Sequence, residues 1–229
     1  MKPTIVNVLL SALLCLGPAA FASPPPALLV STGAMPAAGG SQPAQPPDAQ
    51  PVAFNAQAAL ALPIGGEASI TLPRLGTLAV VHDRDEKHLN GDTTWIGHFR
   101  DYGTDYRVLI TSGAKGLAGR ISSPDGEFSL LPGSGGAWLR DNQAAGLKPL
   151  IQDQDDTIHV QPPAAVAGQP ATAAAAPAGP PPAQSVIDLM LVYTPGMVQR
   201  YGDALQTRLN NLVAIANQAY IDSPRRLIG

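Results

Sequence analysis

The stretch "TTWIGHFRDYGTDYRVLITSGAKGLAGRISSPDGEFSLL", Thr93 to Leu131, alternates short runs of β-branched, aromatic and aliphatic residues with clusters of turn formers. The runs are "TTWIGHF" (93–99), "YRVLITS" (106–112), "LAGRIS" (117–122) and "EFSLL" (127–131), with "DYGTD" (101–105) and "SPDG" (123–126) among the turns. In "SPDG", Ser123 suits the first place of a type I turn and Gly126 the last. Pro124 suits the second place, where its fixed φ is already correct. Working outward, "ASITL" (68–72), "TLAVVHD" (77–83) and "AWLRD" (137–141) continue the pattern, and "NGD" (90–92) adds a turn. Strands at this spacing, with no helical period among them, predict a mainly β domain over residues 54–151, a sandwich or a small barrel. A domain of roughly 95 residues is long enough to bury one modest core.

Composition changes sharply on both sides of that domain. The 24 Pro and 23 Gly of the 229 residues are uneven, with Pro and Ala gathered in two blocks. Residues 23–53 are rich in Pro, Ala, Gly and Gln without periodicity, which predicts a disordered N-terminal leader. Residues 152–185 are acidic and then Pro/Ala-rich, a linker expected to run as extended polyproline II. The formal charge is −3 and the basic residues are scattered, so no basic stripe offers itself to nucleic acid. At 5% aromatic residues, base-stacking platforms are equally unsupported.

Residues 1–22 read as a signal peptide. Lys2 gives the positive start, Ile5 to Leu16 the apolar run, and Ala20-Phe21-Ala22 the small-residue site for cleavage before Ser23. The apolar run is well short of the roughly 20 residues that span a bilayer, so no membrane span is expected. A secreted or periplasmic location follows. Cys15 is the only cysteine and lies in the segment removed. The mature chain therefore forms no internal disulfide and no thiolate metal site.

The last part, 186–229, has a different grammar. Val186 to Val192 is nearly continuous apolar, broken by Asp188, as in a central strand covered on both faces. Thr194 and Pro195 suit the start of a short helix, Gly202 breaks it, and Asp203 can cap the next. There Leu205, Leu209, Leu212, Val213, Ala216, Ala219 and Tyr220 fall on one stripe, with Thr207, Asn210, Asn211 and Gln218 opposite. Burying that stripe is worth on the order of 10 kcal/mol. One strand cannot cover it, which predicts a truncated α/β strand–helix unit whose sheet is missing.

The segments "IDLMLVYTP" (187–195) and "LVAIANQAYIDS" (212–223) resemble the opening of the catalytic domain in secreted bacterial reprolysin-like (adamalysin-type) zinc metallopeptidases of the metzincin group. Residues 76–99, 106–132 and 137–141 are similar to the β-rich propeptide of such proteins. The resemblance implies an N-terminal fragment of a zinc metalloendopeptidase precursor, with a prodomain that contacts the catalytic domain for folding or latency. It implies zinc in the parent protein and protein or peptide substrates for it. The histidines His82, His88, His98 and His159 lack the H-E-x-x-H spacing, so no catalytic or metal residue is assigned and this chain is expected to be inactive.

Single residues each carry two readings. His82, His88 and His98 could converge on a metal or be surface and turn residues. Asp153, Asp155 and Asp156 lack the glycine turn and distal Glu of a calcium loop and read as a solvated hinge. Trp95 and Trp138 read as core or rim anchors, and Asn217 and Tyr220 as structural. Asp92 could present a latency carboxylate to the zinc of a parent protease, or serve the Asn-Gly-Asp hairpin turn. An exported β-domain binding or inhibitory protein, with the terminal helix docked on the β domain, is the alternative function. A glycan-binding adhesin module has only generic β patterning behind it.

Overall fold

The computed structural model describes residues 24–33, 46, 48–133, 136–147 and 189–223. Within them the chain forms β1 (Ala27–Ser31), β2 (Ala49–Phe54), β3 (Glu67–Leu72), β4 (Gly76–Lys87), β5 (Thr93–Phe99), β6 (Gly103–Gly113), β7 (Gly116–Ser123), β8 (Gly126–Gly133) and β9 (Gly136–Asp141). They close into one barrel in the order β1-β2-β9-β8-β7-β6-β5-β4-β3. All neighbours are antiparallel except at the closing seam, where β1 runs parallel to β3 through Ala27–Ser69 and Leu29–Ile70. Of the two architectures open in the sequence, the barrel is the one adopted. It removes free sheet edges.

The seven predicted strands are β3 to β9. The other two, β1 and β2, lie inside the stretch expected to be a disordered leader. Leu28, Leu29 and Val52 are buried there and complete the core. Their runs are too short, and too surrounded by Pro and Ala, to announce strands by periodicity. The cleavage residues Ala20, Ala22 and Ser23, the acidic group Asp153–Asp156, His159 and most of the second linker lie outside the described residues.

Alternation sets the inside of the barrel. Val108 and Ile110 of β6, Leu117 and Ile121 of β7, Phe128 and Leu130 of β8, and Leu139 of β9 point inward into one continuous apolar core. The "SPDG" turn joins β7 to β8 as read: Ser123 pairs with Gly126, and the Ser123 hydroxyl donates to the Gly126 carbonyl at 2.8 Å. One barrel end is plugged. Arg74 Nε donates to the buried Asp141 Oδ2 at 2.6 Å, and the backbone N–H groups of Gln143 and Ala144 both donate to Asp141 Oδ1 at 3.0 Å. Phe99, Tyr102 and Tyr106 stack edge-to-face beside it.

The C-terminal part consists of α2 (Pro195–Tyr201), a 3-10 turn (Gly202–Ala204) and α3 (Leu205–Asp222). Residues 189–194 form no strand, so the described part of the expected central strand is not one. α2 begins after Thr194 with Pro195 in its first turn, but Thr194 makes no side-chain cap bond, and Ala204 rather than Asp203 precedes α3. The unit has a partner after all. α3 lies on the outer wall of β5, β6 and β7, where Ala214 and Ile215 pack on Ile96 and Leu109.

Its buried face is only partly the predicted one, with Leu205 and Leu209 of the stripe buried. Thr207, Asn211 and Gln218 are buried against the wall, whereas Leu212, Tyr220 and Ile221 face outward. The reason is the chemistry of the wall. Asn211 Nδ2 donates to Thr111 Oγ1 at 3.1 Å, Thr111 and Thr94 hydroxyls bond at 2.7 Å, and Thr94 meets His88 Nε2 at 2.7 Å. Buried polar groups are tolerated when bonded to one another, and this chain is. At the far end Arg107 clamps Asp222 with Nε at 2.8 Å and reaches Asp83 at 2.6 Å, while Gln218 accepts from Arg84 at 3.0 Å. The expectation of an unfinished α/β unit is thereby corrected.

Both clamps predict acid sensitivity. Burial pushes the Asp141 and Asp222 carboxyls up, but hydrogen bonds and charge from Arg74 and from Arg107, with further N–H donors, outweigh it and hold both below the ordinary 3.8. Groups with depressed pKa stabilise the fold fully above the ordinary value and lose that contribution as pH falls through the lower folded value. Thermal unfolding should be flat in pH above about 5 and drop below about 4. Asp222→Asn should flatten part of the drop, and an unchanged acid profile would contradict the clamp.

Candidate site at the open end of the barrel

The barrel end opposite the Arg74–Asp141 plug is formed by the β4–β5, β6–β7 and β8–β9 turns and by α1 (Ala56–Ala61), whose Ala59 is buried and Leu60 exposed. α1 starts at Asn55, whose side chain accepts from the Ala58 N–H at 3.1 Å. The bulge in β4 between His82 and Arg84 sets the inward register at this end. It places His82 opposite Gly97 and Asp85 opposite Trp95. A cavity of about 220 Å³ opens there, lined by Trp95, Phe54, Ala59, Leu60, Asp85 and Thr93, with Gly91, Ser112 and Gly113 at its rim.

Trp95 lines this cavity with His82 stacked against it. Trp95 is 2% exposed, yet its indole N–H is buried without a hydrogen-bond partner among the described residues. An unmade bond of this kind costs about 1–3 kcal/mol, so the group is a standing donor. The indole stacks on His82 at 5.2 Å between centroids and 13°. His82 Nδ1 faces the carbonyls of Leu62 (3.0 Å) and Pro63 (3.3 Å), and Nε2 faces Asp85 Oδ1 at 3.2 Å. Carbonyls only accept, so Nδ1 is the ring nitrogen that donates, and Nε2 faces the Asp85 carboxyl. Asp85 lines the cavity, and its Oδ2 has no partner among the described residues.

A second depression, of about 340 Å³, adjoins the first through Phe54, Ala56, Ser112 and Gly113 and continues past Lys115, Gly133 and Gly136. Gly113 and Gly116 are glycines for packing reasons. A methyl on Gly113 would meet the Asp92 carboxylate, and one on Gly116 would meet Ala204 Cβ at 2.6 Å. Together the two depressions make a shallow trough across the open end rather than a deep calyx. The inside below it is filled with side chains, one of the two outcomes open to a small closed barrel.

Asp92 sits at the rim, buried, where its Oδ2 accepts from Asn210 of α3 at 3.0 Å. Asn210 also donates to Asn90 Oδ1 at 2.9 Å, so α3 holds the β4–β5 turn in place. His82, His88 and His98 do not converge: they bond Asp85, Thr94 and Asp83 respectively. Among the described residues no group of three His, Cys, Asp or Glu side chains is placed to hold a metal. Trp138 lies on the outer wall with Leu131 and Ala49, and Asn217 donates to Glu86 at 3.3 Å. Tyr220 points to solvent. The sequence reading missed Asp85 and the role of Trp95; the signal was the bulge in "HDRDE", which turns both His82 and Asp85 inward.

Among the described residues no helix is long and apolar enough to cross a membrane, which says nothing of strands. Residues 34–145, just under half of the chain, match the family of the BamI lipocalin-like domain. No curated protein matches the chain. A solved structure described as a chaperone–substrate complex aligns over 56% of this chain and 96% of its own, at 10% identity and a TM-score of 0.41. The resemblance to reprolysin-like metallopeptidases is overturned by the family match and by the fold. The two terminal segments carry strand–helix wording that these metallopeptidases share, but here the helix rests on a barrel. With it go the metallopeptidase reading and the propeptide role. Over residues 34–145 the chain is similar to a lipocalin-like β-barrel domain.

Proposed function

We propose that this chain is an exported, non-catalytic β-barrel binding protein that lays an extended polypeptide segment of a partner across its open end. One side chain of that segment enters the Trp95 cavity. The observation that carries this reading is the buried, unpartnered Trp95 N–H in a cavity that the exposed Asp85 also lines. The cavity lies below the roughly 300–1,000 Å³ usual for a drug-sized ligand, and its size suits a single side chain. The N–H takes a carbonyl oxygen, Asp85 favours a basic or donor group, and Phe54, Ala59 and Leu60 cover the apolar stem. Export is supported by the N-terminal 22 residues.

Trp138→Phe leaves Trp95 as the single indole, so its emission reports on the cavity directly. In that background, pentapeptides with a central lysine should shift the emission more strongly than those with a central glutamate. Asp85→Ala should weaken the lysine response about tenfold, the scale of one lost charge-assisted bond. Emission indifferent to every peptide, or an Asp85→Ala protein that responds like its parent, would overturn the assignment.

A further inference from the structure

On the flank of α3 away from the β4–β5 turn, Arg208 and Arg140 lack carboxylate partners among the described residues. Arg120 of β7, Ser129 of β8 and Arg140 of β9 form a row on the outer wall, since Arg120 pairs with Ser129 and Ser129 with Arg140. Asn210 of α3 bonds the β4–β5 turn on one flank. Arg208, two residues earlier and roughly 200° around the helix, lies on the other flank, toward that row. Its hydrogen bond goes to a neutral acceptor, Asn211 Oδ1 at 3.1 Å. Arg140 donates to Asn142 Oδ1 at 3.3 Å. Neither makes an ion pair among the described residues, whereas Arg107 ties α3 to the wall through the carboxylates of Asp222 and Asp83. Arg120 does pair with Glu127, but its Nε is buried with no acceptor.

We propose that Arg140 and Arg208, backed by Arg120, form an oxyanion site of the phosphate class in the seam between α3 and the β7–β8–β9 wall. Planar guanidiniums from two elements match the spread oxygens of such a group, and bidentate bonds make arginine the preferred residue for it. Burial, and then the like charge of Arg140, lower the Arg208 pKa from its ordinary value, a cost that a bound anion would relieve. Ser129 Oγ, which accepts from Asn142 at 3.0 Å, has a hydroxyl proton left to offer from the middle of the row. The oxyanion could be free or borne on a lipid headgroup. The site is on the outer wall and stands independently of the trough.

The test compares the full chain with Arg140→Gln, Arg208→Gln and Arg140→Lys, each checked for the same circular dichroism. Inorganic phosphate, against chloride at equal ionic strength, should raise the midpoint of thermal unfolding by about 3–6 °C at millimolar concentration. Either Gln variant should lose that rise, and Arg140→Lys should keep part of it. Phosphorus-31 line broadening gives the same comparison without unfolding. A second arm measures co-sedimentation with phosphatidylglycerol vesicles against phosphatidylcholine vesicles. Arginine-dependent binding to the former, competed by phosphate, assigns the headgroup source; an arginine-dependent response to phosphate without vesicle binding assigns the free one. The proposal is overturned if neither response depends on Arg140 and Arg208.

Discussion

Phe128→Ala is expected to destabilise the fold by about 3–5 kcal/mol, the range for emptying an aromatic core site. Phe128 is fully buried, pairs across the sheet with Ile121 and Asp141, and points into the single core cluster of the barrel. Its ring spans the interior, so the wall cannot collapse inward from one side without breaking pairing on the other. The barrel closes on itself, which makes relaxation poorer than in an open sheet. Total stability of an ordinary domain is about 5–15 kcal/mol, so this one change removes about a fifth or more of it. Urea unfolding followed by far-ultraviolet circular dichroism measures the shift, with an unchanged slope showing that the denatured state is not the cause. Leu60→Ala is the control. Leu60 is apolar but exposed at the trough, and its loss should stay within about 0.5 kcal/mol. Equal costs for the two would mean that the barrel interior is not the core.

How much of this could be read from residues alone follows from where alternation holds. β3 alternates with one face inward, and the β7–β8 turn carries Pro124, Asp125 and Gly126, so existence and bounds were legible there. In β5 and β6 the alternation fails. Trp95-Ile96 and Val108-Leu109-Ile110 are buried on both faces, because α3 covers the outside. That doubled burial was the available sign that a helix docks there, and it was overshadowed by the apolar stripe of α3 itself. A stripe is read as the buried face when burial is driven by area. Here hydrogen bonding decides, since Thr94 and Thr111 make the wall polar and only Asn211 and its neighbours satisfy them. The strands β1 and β2 were illegible for a different reason: they are short strands near the closing seam whose pairing partners are distant in sequence, Ser69 for one and Trp138 for the other. Of the site, Trp95 was visible as an aromatic in a strand. Its unpartnered N–H and the inward turn of Asp85 exist only once the bulge and the closed wall bring them together.

Gly97→Ala tests that assembly at its tightest point. Gly97 is in the middle of β5 and faces inward, where an added Cβ would lie 2.3 Å from the Val81 carbonyl oxygen and 2.5 Å from Trp95 Cη2. The two neighbours differ in what they can do. The carbonyl belongs to the β4 backbone beside the bulge and cannot retreat without loosening the His82–Gly97 pairing. The indole can move, but only up into the cavity it floors, away from the His82 ring on which it stacks. Overpacking of this kind costs about 1–3 kcal/mol, and the backbone contact puts the value near the top of that range. A matched comparison is Gly113→Ala, where the obstacle is the Asp92 carboxylate. That carboxylate is the tip of a side chain, and swinging it aside costs the Asn210 bond, a typical loss of about 1 kcal/mol. In the Trp138→Phe background, Gly97→Ala should therefore lower the urea midpoint more than Gly113→Ala. It should also shift the Trp95 emission and abolish the response to lysine-centred peptides. A Gly97→Ala protein with parental emission and stability would mean that the indole does not lie over Gly97, and the trough would lose its floor.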